Sequence, residues 1–126
     1  FVRLQLQAYE RLTLFLERIN PTNLVPRLML PTQNVSQLHS ALLHALREEY
    51  EHNMSQQIYL SDLSWELIKA AKESVVNLVN QSDRSLKGDD KAVILAAKIL
   101  TSNFEKGKDP VENALSALKK DIREQF

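Results

Sequence analysis

Cysteine is absent from the chain, which excludes disulfides, thiolate metal sites and cysteine nucleophiles. The chain has two glycines, at positions 88 and 107, and these cannot form a glycine-rich phosphate loop. Four prolines and 6% aromatic residues are too few for a sheet protein, in which turn residues recur at short intervals. The scarcity of turn residues favours helices joined by short connections.

Neither sign of charge is in excess, because 16 basic and 16 acidic residues give a formal net charge of zero. A nucleic-acid-binding domain usually carries a basic excess, so we do not predict nucleic acid as a partner. No apolar run approaches the roughly 20 residues of a membrane-spanning helix, and no signal-peptide pattern opens the chain. The chain begins at Phe1, already inside a helical pattern, so we expect it to be a fragment of a longer protein.

Apolar residues recur at three- and four-residue spacing along most of the chain, which predicts amphipathic helices. The first helix is expected at about residues 2–19 and ends at Asn20, because the residue before a proline avoids the helical region. The next long helices are expected from about residue 34 to residues 53–56, and from Ser61 to about residue 79. Residues 57–60 between them look like an extended linker, and residues 24–30 fit a short helix or a loop.

The C-terminal part contains the most apolar segment of the chain, Ala92–Leu100, which is typical of the most enclosed helix of a bundle. We expect its helix to begin near Asp89 or Asp90 and to end at Gly107, in the manner of a C-terminal glycine. Asp109-Pro110-Val111-Glu112 then opens the last helix with a capping residue, a proline and an acid.

These signals predict one all-α domain over residues 1–126, an antiparallel bundle of four long helices plus one short helical segment at about residues 24–30. No internal repeat or linker divides the chain, and the Lys87–Asp90 turn is the one plausible hinge.

The stretch from His44 to Gln57 contains the densest acids in the predicted second helix. At about 100° per residue, Glu49 and Asn53 continue the apolar stripe of that helix in its last two turns. A buried carboxylate needs a partner. The candidates are the backbone of residues 57–60 and three arginines on or after the first helix, namely Arg11, Arg18 and Arg27. We therefore predict that Glu49 and Asn53 form a buried polar lock against a neighbouring helix or turn.

A metal site is the alternative interpretation of the same stretch. Glu49 and His52 form a Glu-x-x-His pair, the spacing with which di-iron bundles direct two ligands inward. Such a site needs two pairs and further carboxylates, whereas one pair is present, so we predict no cofactor. A small-ligand carrier with a pocket between the third and fourth predicted helices is a weaker alternative.

A protein-interaction surface is predicted around four residues of the types that interfaces favour: Tyr50, Met54, Tyr59 and Trp65. The sequence contains no catalytic constellation. We therefore expect a non-enzymatic scaffold or protein-interaction domain, which binds a protein partner or a second copy of itself.

Several segments of the chain resemble an uncharacterised protein family of Bacteroidetes: Gln7–Leu12, Phe15–Pro21, Leu46–Asn53, Ser55–Tyr59 and Ser61–Val79. The resemblance is vague beyond Gln81. It implies a short protein with one N-terminal membrane helix, a basic stretch and then this helical domain. By the positive-inside rule, it also implies that the domain lies on the cytoplasmic side of the bacterial inner membrane. The resemblance implies no activity, because that family has none assigned.

Overall fold

The computed structural model describes residues 1–102 and 109–125, and every regular element in these residues is helical. The six α-helices are α1 (Val2–Ile19), α2 (Pro21–Leu28), α3 (Val35–Asn53), α4 (Asp62–Asp83), α5 (Ala92–Thr101) and α6 (Pro110–Gln125). A 3₁₀ helix, Met54–Tyr59, joins α3 to α4. The prediction of an all-α bundle with four long helices is confirmed.

Side-chain caps determine where several helices begin. Asn20 accepts a hydrogen bond from the backbone N–H of Thr22 and caps α2. Asn34 and Gln37 form a reciprocal capping box at the start of α3, with bonds of 2.8 and 2.9 Å. Ser61 accepts from the backbone N–H of Ser64 at the start of α4. Each cap satisfies an N–H group that has no partner inside its helix.

Three boundaries differ from those expected from the sequence. Helix α2 begins earlier, because Asn20 caps it and Pro21 occupies its first position, where a missing N–H costs nothing. Residues 57–60, expected to be extended, belong largely to the 3₁₀ helix. Helix α5 begins at Ala92 and ends at Thr101. Its expected end, Gly107, lies outside the described residues.

The buried core lies around one continuous face of α1. Six of its residues are at most 1% exposed: Ala8, Tyr9, Leu12, Phe15, Leu16 and Ile19. Helices α2 to α6 all contribute buried residues to the same cluster. Burying one large aliphatic side chain contributes roughly 1.5–3 kcal/mol, so this face of α1 is a major source of stability.

Consecutive long helices run antiparallel, as predicted. Trp65, near the start of α4, stacks on Tyr50, near the end of α3. Asn80, near the end of α4, is hydrogen-bonded at 2.9 Å to His39, near the start of α3. The same reversal relates α1 to α3, where the end of α3 runs back along α1 from Arg18 to Arg11, and α4 to α6, where the C-terminal half of α6 contacts the start of α4.

The turn between α4 and α5 is joined to the start of α3. The backbone N–H of Val35 donates to the Asp90 carbonyl at 2.8 Å, and that of Ser36 donates to the Gly88 carbonyl at 3.0 Å. The turn expected to be a hinge is therefore tied to the bundle by backbone hydrogen bonds.

We predict that Leu12→Ala lowers the free energy of unfolding by about 2–5 kcal/mol, because it leaves a cavity in the core. Leu14→Ala on the same helix is the matched control, since Leu14 is 59% exposed. It should change the free energy by less than about 0.5 kcal/mol. Urea unfolding followed by circular dichroism measures both values, and equal losses would contradict the assigned faces of α1.

Candidate functional site

The C-terminal half of α3 carries Glu49, which is bound to two arginines. Nε and Nη2 of Arg18 both lie 2.6 Å from Oε1 of Glu49. Nη1 of Arg27 lies 3.6 Å from the same oxygen, and its Nη2 donates to the main-chain carbonyl of Arg18 at 3.2 Å. The Glu49 side chain is 20% exposed. This cluster connects α1, α2 and α3 through one carboxylate.

Asn53, the other residue of the predicted polar lock, is buried but bonds within its own helix. Its Nδ2 donates to the Glu49 carbonyl at 2.8 Å. The connection from this last turn to α1 is made by Arg11, whose Nη2 donates to the His52 carbonyl at 2.9 Å. Glu49 therefore bridges helices through its side chain, whereas Asn53 satisfies a carbonyl near the C-terminus of α3.

The Glu49–His52 pair does not come together with further metal ligands in the described residues. No group of three His, Asp or Glu side chains suited to a metal occurs there. The Glu49 carboxylate is already bound to Arg18 and Arg27, and the positive charge of these groups opposes a cation beside it. The side chain of His52 is exposed.

A second polar cluster, centred on Asp121, was not predicted from the sequence. Oδ2 of Asp121 accepts hydrogen bonds from the hydroxyls of Tyr9 at 3.3 Å, Ser61 at 3.1 Å and Ser64. It connects the C-terminal half of α6 to α1 and to the start of α4. Burial, together with the nearby Asp121 charge, raises the pKa of Tyr9 to about 12.

A groove of about 380 Å³ lies between α3 and α4. Four apolar or aromatic residues line it, namely Leu43, Tyr50, Met54 and Val76. Polar and charged residues complete the lining, namely Arg47, Glu51, Lys72 and Asn80. The ligand pocket considered from the sequence was expected between the helices that are now α4 and α5, so this groove, between α3 and α4, is a different site. We call it the α3–α4 groove.

Tyr50 belongs both to this groove and to the core. Its ring stacks on Trp65, with centroids 5.7 Å apart and planes 23° apart, and lies 6.3 Å from the ring of Phe15. Nζ of Lys72 lies 4.7 Å from the centre of the same ring, within the range of a cation–π contact. Burial raises the pKa of Tyr50 as well. Tyr50 is therefore held in place from behind by the core.

The structure separates the four residues of the predicted interaction surface. Tyr50 and Met54 line the α3–α4 groove. Trp65 is 8% exposed and supports Tyr50 from the core, so a partner could not reach it without disturbing the bundle. Tyr59 lies away from the groove, with its ring 5.9 Å from that of Phe1.

We predict that Glu49→Ala lowers the free energy of unfolding by about 1–2 kcal/mol, since two guanidinium groups lose their carboxylate partner. Glu48→Ala is the matched control, because Glu48 is exposed and its partner is His44, at 3.8 Å. It should change the free energy by less than about 0.5 kcal/mol. Thermal and urea unfolding measure both, and similar losses in the two variants would show that the Glu49 cluster adds no specific stability.

Stability should fall at high pH because Tyr9 ionises less readily in the folded chain. Its pKa rises from 10.0 to about 12 on folding, so this contribution is complete below pH 10 and is lost as the pH rises towards 12. The loss should reach about 2–3 kcal/mol. Unfolding at pH 9 and at pH 11.5 tests this expectation. Tyr9→Phe should show a smaller pH dependence, and a variant with the wild-type dependence would contradict the assignment.

The chain matches a known protein family over nearly its whole length. Residues 1–125 match the model of a family described as "Family of unknown function (DUF7935)". No curated protein and no solved structure matches the chain. The match therefore extends well beyond Gln81, where the resemblance seen in the sequence becomes vague.

Across the described residues, no helix combines the length and the apolar character needed to cross a membrane. The chain belongs to DUF7935, a family of unknown function.

Proposed function

We propose that this chain is a non-enzymatic protein-interaction domain that binds a helical segment of a partner in the α3–α4 groove. The groove itself is the observation that supports this proposal. Its apolar and aromatic lining with charged residues beside it is the arrangement found in interface cores and their rims.

The lining residues recur about once per helical turn along both walls of the groove, so a helix is the bound segment that matches them best. The lining runs along α3 from Leu43 and ends at Met54, the first residue of the 3₁₀ helix, and on α4 it runs from Lys72 to Asn80 at four-residue intervals. Eleven residues of helix span roughly 16 Å, or about three turns. A partner helix of similar length could place apolar side chains at three- and four-residue spacing into such a groove.

The rigid support of Tyr50 also favours a binding role. Trp65 stacks against its inner face, and Phe15 contacts it from α1. A ring that is already fixed loses little conformational freedom when a partner binds, so more of the contact energy contributes to affinity.

We further propose that the domain acts as a scaffold on the cytoplasmic side of a bacterial inner membrane, tethered by a membrane helix outside this chain. The resemblance to anchored Bacteroidetes proteins supports this part of the proposal. Fractionation of the full-length protein, with protease protection of intact and broken cells, would test it. Release from membranes without detergent would contradict the tether.

The chain contains two methionines of similar exposure, which gives a matched test of the groove. Met54 lines the groove and is 39% exposed, whereas Met29 lies at the end of α2 and is 37% exposed. Met54→Glu should abolish partner binding, because a charged side chain would replace apolar contact surface in the groove and would have to lose its water when a partner packs there. Met29→Glu should preserve binding.

Cross-linking in the native cells can measure this binding. Since the chain has no cysteine, Asn80→Cys introduces one unique thiol beside the groove for a photoactivatable cross-linker. We expect one adduct of defined mass, lost with Met54→Glu and retained with Met29→Glu. An adduct that persists with Met54→Glu, or no adduct at all, would overturn the proposed function.

A further inference from the structure

We infer that the partner of the α3–α4 groove is an acidic amphipathic helix, whose carboxylates pair with Arg47 and Lys72. This inference rests on the proposed function and specifies the chemistry of the ligand. The evidence for it is the set of charged residues that line the groove.

The groove has more positive than negative side chains. Its lining contains two cations, Arg47 and Lys72, and one acid, Glu51, so its net charge is +1 (two minus one), although the chain as a whole is neutral. Clefts with low-dielectric walls concentrate the field of such charges. The lining itself therefore favours an acidic segment over a basic one.

These two cations lack the internal partners that neighbouring basic residues have. Lys69, on α4, lies 3.7 Å from Glu66, and Arg18 and Arg27 share Glu49. Among the described residues, no carboxylate lies within salt-bridge distance of Arg47 or Lys72. Their capacity to bind a carboxylate is therefore available to a partner.

Lys72 links the charge of the groove to its apolar surface. Its ammonium group lies over the ring of Tyr50, 4.7 Å from the centre, and covers part of the aromatic face. An ammonium group binds a carboxylate through a charge-assisted hydrogen bond, which is stronger than its cation–π contact with an aromatic ring. A partner acid that draws Lys72 aside would also expose Tyr50 to an apolar side chain of the same helix.

The positions of the charges define the expected sequence of the partner. Arg47 belongs to α3 and Lys72 to α4, so one cation stands on each wall of the groove. A helix between them would direct an apolar stripe into the groove and carry Asp or Glu on both flanks of that stripe. Glu51 lies one turn beyond Arg47 along α3, which favours a basic residue at that end of the partner.

Two synthetic peptides test this inference directly. Both are blocked helical peptides of 18 residues with the same leucine stripe and no tryptophan, and they carry either glutamate or lysine on the flanks. Trp65 is the one tryptophan of the chain, and it stacks on Tyr50, so its fluorescence reports occupancy of the groove. We expect the glutamate peptide to bind at least tenfold more tightly than the lysine peptide.

Charge reversal shows whether the two cations cause this preference. Arg47→Glu/Lys72→Glu should invert it strongly, and the milder Arg47→Gln/Lys72→Gln, which leaves Glu51 as the one charged residue of the lining, should invert it more weakly. Arg3→Glu/Lys119→Glu makes the same change in net charge at two exposed residues outside the groove, and it should keep the wild-type preference. Circular dichroism confirms that each variant is folded.

The other outcomes separate this inference from the proposed function. Equal binding of the two peptides, lost with Met54→Glu, would overturn the acidic partner and leave the groove as an interaction site. Failure of both peptides to bind, with no adduct in the cross-linking test, would overturn both. A wild-type dimer that charge reversal dissociates would show that a second copy occupies the groove, and it would also overturn the acidic partner.

Discussion

The stacking of Tyr50 on Trp65 fixes α3 against α4, and the rest of the site depends on this contact. The two rings lie 5.7 Å apart in the offset arrangement that aromatic quadrupoles favour. Phe15 extends the layer to α1, so three helices meet at one set of rings. The opposite side of Tyr50 lines the α3–α4 groove beneath Lys72. One side chain therefore belongs to the core and to the surface, and a change in the groove is coupled to the packing of the bundle.

Two polar clusters connect α1 to its neighbours. Glu49 joins α3 to Arg18 and to Arg27, and Asp121 joins α6 to Tyr9 of α1 and to the start of α4. Apolar stripes alone allow helices to slide past one another, whereas satisfied hydrogen bonds specify one register. In the part of the chain that the structure describes, every buried side-chain nitrogen and oxygen has a partner. The Glu49 cluster therefore fixes α3 relative to α1, and the Asp121 cluster fixes the start of α4 relative to α1.

The sequence predicted the fold better than it predicted the site, and the reason lies in the range of the contacts. Helix periods and caps such as those at Asn34 and Ser61 are local, so they can be identified in a single sequence. The angular position of Glu49 on its helix also placed it towards the other helices, and two of the three candidate arginines bind it. The Asp121 cluster was missed because its partners lie 57 to 112 residues away along the chain. The groove depends on how closely α3 and α4 pack, and the spacing of apolar residues in the sequence does not determine that distance.

Binding of a partner in the α3–α4 groove, as proposed, would change the environment of the residues that line it. Nuclear magnetic resonance can test it by locating the changes that the acidic helical peptide causes in the labelled domain. We expect the largest chemical-shift changes at Leu43, Tyr50 and Val76, which line the groove. Residues on the exposed side of α1, such as Leu14, should remain unchanged. Changes concentrated on α1 or α6, with the groove residues unaffected, would contradict binding in the α3–α4 groove.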